Sequence, residues 1–175
     1  IVEYNKKFVE NKGYEPYLTS KYPNKKLAVL TCMDTRLTEL LPAALGLKNG
    51  DAKIFKNAGG VITHPYGSVV RSLLVAILEL GVEQVMVIGH TDCGVQGMDG
   101  NELLGELVER GIDKEHIDIV RHSGIDLEKW LGGFESVEKS VEETVHALKT
   151  HPLMPKNIEI KGFIMDSETG ELTEV

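Results

Sequence analysis

The chain has 175 residues, 42% apolar and 26% charged, a composition that suits one folded domain with a sizeable core and excludes a disordered chain. Its 19 basic and 27 acidic residues give a formal charge of −8, which disfavours nucleic acid and anionic membrane surfaces as partners. No run of about 18 apolar residues occurs, so no transmembrane helix is expected.

Residues 1–9 set Ile1, Tyr4 and Phe8 at helical spacing, which predicts an amphipathic helix within an N-terminal arm over residues 1–22. Tyr22-Pro23-Asn24 breaks the chain. Leu27 to Thr31 is a short continuous apolar run, the mark of a buried parallel strand. A helix from Leu37 to Leu45 is expected, ended by Gly46. Ala52 to Lys56 reads as a second strand entering the turn Asn57-Ala58-Gly59-Gly60. Pro65 suits the first turn of a helix running to about Leu80, with Gly81 as its cap. Gln84 to Ile88 is a third buried strand. Residues 94–125 are polar and punctuated by glycine, with one short helix near Asn101–Glu109. Phe134, Val137, Val141, Val145 and Leu148 form one helical stripe, stopped by Pro152 and Pro155. Asn157 to Met165 reads as a strand, and the turn at Ser167–Gly170 allows the tail to return as a hairpin. Trp130, with Leu127 and Leu131, is expected in the core or at an interface.

Strand and helix in this alternation predict an α/β fold. The expected form is a mostly parallel central sheet flanked by helices, with an antiparallel C-terminal strand as an option. No linker or repeat divides residues 1–175, so a single domain is expected.

Only two cysteines occur, Cys32 and Cys93. A chain of this length does not need a disulfide. No secretory apolar segment opens the sequence, and because it starts at Ile1 rather than Met, preceding residues are expected. A cytoplasmic location follows as the expectation, where two thiols serve as metal ligands or catalytic groups.

Two clusters carry chemistry. Cys32-Met33-Asp34-Thr35-Arg36 follows the first strand, and His90-Thr91-Asp92-Cys93-Gly94 follows the third. If the first strand lies between the other two, both clusters meet at the carboxyl ends of parallel strands, where such sheets bind ligands. Two thiolates and an imidazole suit Zn²⁺, and three protein ligands leave a fourth position open, as in catalytic sites. Thiolates cancel much of the metal's charge, so help from a polar pair is expected. Asp34 and Arg36 fit that role, because the planar guanidinium matches a carboxylate with two parallel hydrogen bonds. Either cluster alone is weak: a cysteine after a buried strand is commonly a small core residue. Together they are strong, since both cysteines of the chain fall in them.

The joint pattern resembles the β-carbonic anhydrases, which share a Cys-x-Asp-x-Arg segment and a downstream His-x-x-Cys-Gly segment at about this separation. Cys32, Asp34, Arg36, His90, Cys93 and Gly94 carry the likeness, which is closest to the short microbial members and covers roughly residues 25–95 with specific motifs and the C-terminal strand loosely. The turn at Asn57–Gly60 is also similar. The resemblance implies one Zn²⁺ per chain on Cys32, His90 and Cys93, and reversible hydration of carbon dioxide to bicarbonate by zinc-bound hydroxide. It implies that Asp34 aims the zinc-bound water and Arg36 holds Asp34, although in some members the equivalent Asp ligates zinc at rest. A homodimer or higher homo-oligomer is also implied. Thr35 and the stretch Thr63-His64-Pro65-Tyr66 depart from the family pattern, and residues 94–125 align poorly, which leaves pocket shape open.

Gly59 and Gly60, with Gly94, are candidates for backbone support of the site or its pocket, against a plain turn as the alternative. Val61 and Ile62 are candidates to line an apolar pocket. His64 is a candidate proton shuttle, against an exposed loop histidine. His116, His122, His146 and His151 read as surface or packing residues. Two rival functions keep the same ligands: a hydrolase of a carbon dioxide-like molecule such as carbon disulfide, and a non-catalytic zinc- or anion-sensing module.

Overall fold

The structure is a computed structural model that describes residues 1–175. Its centre is β1 (Leu27–Cys32), whose six residues are all buried, as the unbroken apolar run requires. β2 (Ala52–Asn57) and β3 (Gln84–His90) flank β1 and run parallel to it. β4 (Glu159–Met165) pairs parallel with β3, and β5 (Leu172–Glu174) returns antiparallel to β4. The strand order is β2-β1-β3-β4-β5. The chain therefore leaves β1 in one direction to form β2 and crosses back to form β3. That reversal sets the carboxyl ends of β1 and β3 side by side, the switch point at which open α/β sheets bind ligands.

Alternation along the strands supplies both faces. On one face Ala28, Val85, Val87 and Ile160 pack with Leu73 and Ala76 of α3 (Ser68–Leu80) and with Val141 and Leu148 of α7 (Val137–Thr150). On the other, Leu27, Val29, Ile88 and Met165 pack with Leu37 and Leu41 of α2 (Leu37–Ala44). Two glycines let α7 lie close on the sheet. A methyl group at Gly89 would come within 2.7 Å of Val141, and one at Gly162 would meet the same valine at 2.7 Å.

The elements differ from expectation in three places. α3 starts at Ser68 rather than Pro65, because Gly67 N–H closes a tight turn onto the His64 carbonyl at 3.0 Å. Phe134 stands before α7, in a bridge to Gln96, and is not part of the helical stripe. The polar stretch holds more helix than expected: besides α4 (Gly100–Glu109) it forms α5 (Lys114–His122), and α6 (Leu127–Leu131) follows it. Leu104, Ile117 and Leu127 from these three helices form a small separate core. Of the two places expected for Trp130, core or interface, its 58% exposure in one chain excludes the core, unlike its neighbour Leu127. α1 (Val2–Glu10) is helical as read, and none of its residues is buried.

Candidate metal centre

The two clusters converge as the strand order requires. Cys32 ends β1, His90 ends β3, and Cys93 follows in the loop after it. All three are buried, at 4%, 1% and 6% exposure. One donor atom from each lies within 4.8 Å of the other two, and the sulfur atoms are 3.9 Å apart.

The histidine shows which atom is on offer. His90 Nδ1 lies 2.8 Å from the Thr91 carbonyl, which can only accept, so Nδ1 carries the proton. Nε2 is left with a lone pair, is fully buried and has no hydrogen-bond partner. Buried polar atoms are rarely left unpaired, and an orphan calls for a missing partner such as an ion. Burial, with Cys32 beside it, pushes the Cys93 thiol up, so two thiolates this close need a cation to offset them. Two sulfurs and one imidazole nitrogen suit zinc, and three donors leave a fourth position open.

Asp34 and Arg36 stand at the rim. Arg36 Nε and Nη2 donate to the two carboxylate oxygens of Asp34 at 3.1 and 2.9 Å, and the Arg36 backbone N–H adds a bond of 2.8 Å. The guanidinium holds the Asp34 carboxyl down to about 2, against the opposing effect of burial. Asp34 Oδ2 lies 3.8 Å from His90 Nε2, so the carboxylate borders the donor trio while both its oxygens are engaged by arginine.

The turn after β2 closes one side. Asn57 brackets it, with its amide donating to the Val61 carbonyl at 2.7 Å and its carbonyl accepting from Val61 N–H at 3.1 Å. Gly59 and Gly60 adopt φ of 83° and 66°, which favour glycine. A methyl group at Gly60 would press to 3.0 Å on Cys32 N, so this turn lies directly on the backbone of a candidate ligand. Gly94, in contrast, has open space where a side chain would be. A cleft of about 650 Å³ adjoins the turn and is lined by Val61, Ile62, Val95, Met98 and Phe134 among others. Val95 and Phe134 also pack against the cluster that contains Cys32 and Cys93, and so form the wall between trio and cleft.

His64 lies in the loop before α3, where its Nδ1 accepts from Tyr66 N–H at 3.0 Å. Its ring stands 6.3 Å from that of Tyr66, centroid to centroid. His151 is a packing residue: it is 4% exposed, its Nε2 donates to the Pro65 carbonyl and its Nδ1 accepts from Leu153 N–H.

Two contributors carry no signal of their own in the sequence. Asp92 binds Arg36 from the loop after β3, at 2.9 Å from Oδ2 to Nη1. Ser167, in the turn between β4 and β5, donates its N–H to Thr91 Oγ1 at 3.0 Å and so anchors the residue that fixes the His90 tautomer.

The carbonic anhydrase family model matches residues 27–172, which include both clusters. The fold is similar to the crystal structure of β-carbonic anhydrase isoform I from Trichomonas vaginalis, with a TM-score of 0.88 and 35% identity over 99% of this chain and 93% of that one. The chain belongs to the β-carbonic anhydrase family. It is thus an enzyme of carbonic anhydrase type, from a family of zinc enzymes, and its Cys32–His90–Cys93 group is able to hold a metal. Among curated β-carbonic anhydrase relatives, YvdA of Bacillus subtilis (strain 168), whose carbonic anhydrase name is provisional, is 52% identical over all of this chain and 89% of its own length. A carbon disulfide hydrolase of Acidithiobacillus thiooxidans is 32% identical over 85% of this chain and 76% of its own.

Proposed function

We propose that the protein hydrates carbon dioxide reversibly to bicarbonate and a proton, using one Zn²⁺ held by Cys32 Sγ, His90 Nε2 and Cys93 Sγ. The observation that carries this reading is the buried, unpartnered His90 Nε2 facing two thiols, with an arginine-held carboxylate beside it. When bound, the ion supplies Lewis acidity, the property that makes a nucleophile of water near neutral pH.

The chain's own residues supply direction. Thr91 fixes the His90 tautomer, so Nε2 is always the free donor. Asp34 is ionised at all working pH values, and an ionised carboxylate only accepts hydrogen bonds. It therefore orients a proton donor placed before the trio. Arg36 occupies both oxygens of Asp34 and keeps the carboxylate from turning onto the donor trio itself. Val95 and Phe134, which pack against the cluster that holds Cys32 and Cys93, give the trio an apolar side that suits carbon dioxide, which has no charge to grip. In this reading residues 1–175 form one catalytic domain with residues 1–22 as an arm. They act in a reducing cytoplasm, as a homo-oligomer.

Stopped-flow carbon dioxide hydration on metal-quantified protein tests the proposal. Fast hydration with one zinc per chain, both lost in Cys93→Ala, is the expected result. Stoichiometric zinc without hydration at any pH would overturn it. Carbon disulfide is the second reading, supported by the 32% identity of the Acidithiobacillus hydrolase. Hydrogen sulfide release from carbon disulfide, in the absence of hydration, would establish it instead. A purely sensing module is disfavoured, because Asp34 is turned to Arg36 rather than onto the donor trio.

A further inference from the structure

Arg36 uses its planar fork twice. Nε and Nη2 serve the Asp34 carboxylate, and the opposite edge serves Asp92: Nη1 donates to Oδ2 at 2.9 Å and Nη2 to the Asp92 carbonyl at 2.8 Å. These contacts join the loop after β1 to the loop after β3, the two segments that supply Cys32 and Cys93. Asp92 sits at φ 52°, in the left-handed region that few residues other than glycine and asparagine adopt readily. That backbone turns its carboxylate toward Arg36.

We propose that Asp92 is a positioning residue, which fixes the direction of the Arg36 guanidinium from the opposite loop and thereby keeps both oxygens of the Asp34 carboxylate on Arg36 at the border of the three donor atoms. This role rests on the hydration reading given above. Asp34 and Arg36 are two residues apart, so their ion pair alone can swing as one unit. Lys56 of β2 reaches the Asp34 carbonyl at 3.4 Å rather than the carboxylate. Asp92 is the group that ties the Arg36 guanidinium to a second segment. Its side chain is 86% exposed, so charge attraction is screened and the gain lies in direction rather than in strength.

Three substitutions separate the carboxylate from the backbone. Asp92→Gly relieves the left-handed strain and removes the acceptor. Asp92→Ala removes the acceptor and keeps the strain. Asp92→Asn tolerates the backbone and keeps an acceptor oxygen. The first readout is hydrogen exchange of the Arg36 Nε–H in zinc-free protein, followed by nitrogen-15 NMR and assigned by its loss in Arg36→Lys. The second is hydration by the zinc-loaded forms. In Gly and Ala variants exchange is expected to speed up, and hydration to fall, by about threefold, the scale an exposed ion pair supports. Asn is expected to restore both to near the wild-type level. Unchanged exchange in the Gly variant would overturn the proposal, as would an Asn variant no better than Gly. A loss confined to the Ala variant would also overturn it, since strain alone would then explain the effect. If the exchange pattern appears but the wild type hydrates no carbon dioxide, the functional reading fails and the positioning of Arg36 by Asp92 stands.

Discussion

At the scale of the residue, two charges govern the centre and both respond to pH in a calculable direction. The Arg36 guanidinium holds the Asp34 carboxyl at about 2, below its ordinary 3.8. Because the folded value is the lower one, the stabilisation is complete above about 3.8 and is lost as pH falls through about 2. Asp34 therefore does not titrate near neutrality. In Arg36→Ala its carboxyl carbon-13 resonance, followed in zinc-free protein, is expected to move its midpoint up toward 3.8; an unmoved midpoint would show that Arg36 is not the cause. The Cys93 thiol is pushed the other way, upward, by burial and the adjacent Cys32. In metal-free protein it stays protonated at neutral pH, so zinc capture must displace its proton. Zinc affinity, measured by chelator competition, is then expected to rise between about pH 6 and about pH 8. A flat response would mean that the thiol is already ionised. Cys32, Asp34, Arg36, His90 and Cys93 were legible because each lies in a short motif at a strand end. Asp92 was not, since its contact exists only once the reach of the Arg36 side chain across two loops is known.

At the scale of the element, the centre depends on how tightly α7 lies on β3 and β4. Gly89 precedes His90, and its missing side chain is the space that Val137 and Val141 fill, at 2.8 and 2.7 Å from where a methyl would stand. Gly89→Ala is expected to overpack this contact and to destabilise the fold by about 1–3 kcal/mol. Urea unfolding would show the loss as a lower midpoint with an unchanged slope. An unmoved midpoint would mean that α7 shifts without cost. The strands, α2 and the body of α3 were readable because continuous apolar runs and 3.6-residue stripes report burial directly. α5 and α6 were not, because they are short: Ile117 with Val120, and Leu127 with Leu131, give each helix only one turn of apolar spacing, set among charged residues and glycines. Their caps did leave a trace, since Asp113 and Asp126 accept from Glu115 N–H and Lys129 N–H. An aspartate in a polar stretch is too common a sign to locate a helix unaided.

At the scale of the whole molecule, the sheet and its helices account for the apolar stripes of α2, α3 and α7, but not for that of α1. Ile1, Val2, Tyr4 and Val9 are 110%, 72%, 76% and 53% exposed, and no residue of α1 is buried. A helix of nine residues is marginal in water without packing, because nucleation is costly and few bonds repay it. Its apolar side therefore calls for a surface that one copy of the chain does not provide. The proposed homo-oligomer meets this need if the arm of one copy lies on another. Sedimentation equilibrium is expected to give a dimer or larger species for the full chain and a smaller species after removal of residues 1–10. Circular dichroism is expected to lose helix beyond the nine residues deleted only if the interface also orders other segments. A full-length chain that sediments as a monomer at all concentrations would refute the assembly. The zinc trio would be untouched by that result, since Cys32, His90 and Cys93 come from one chain and from strands that pair within it.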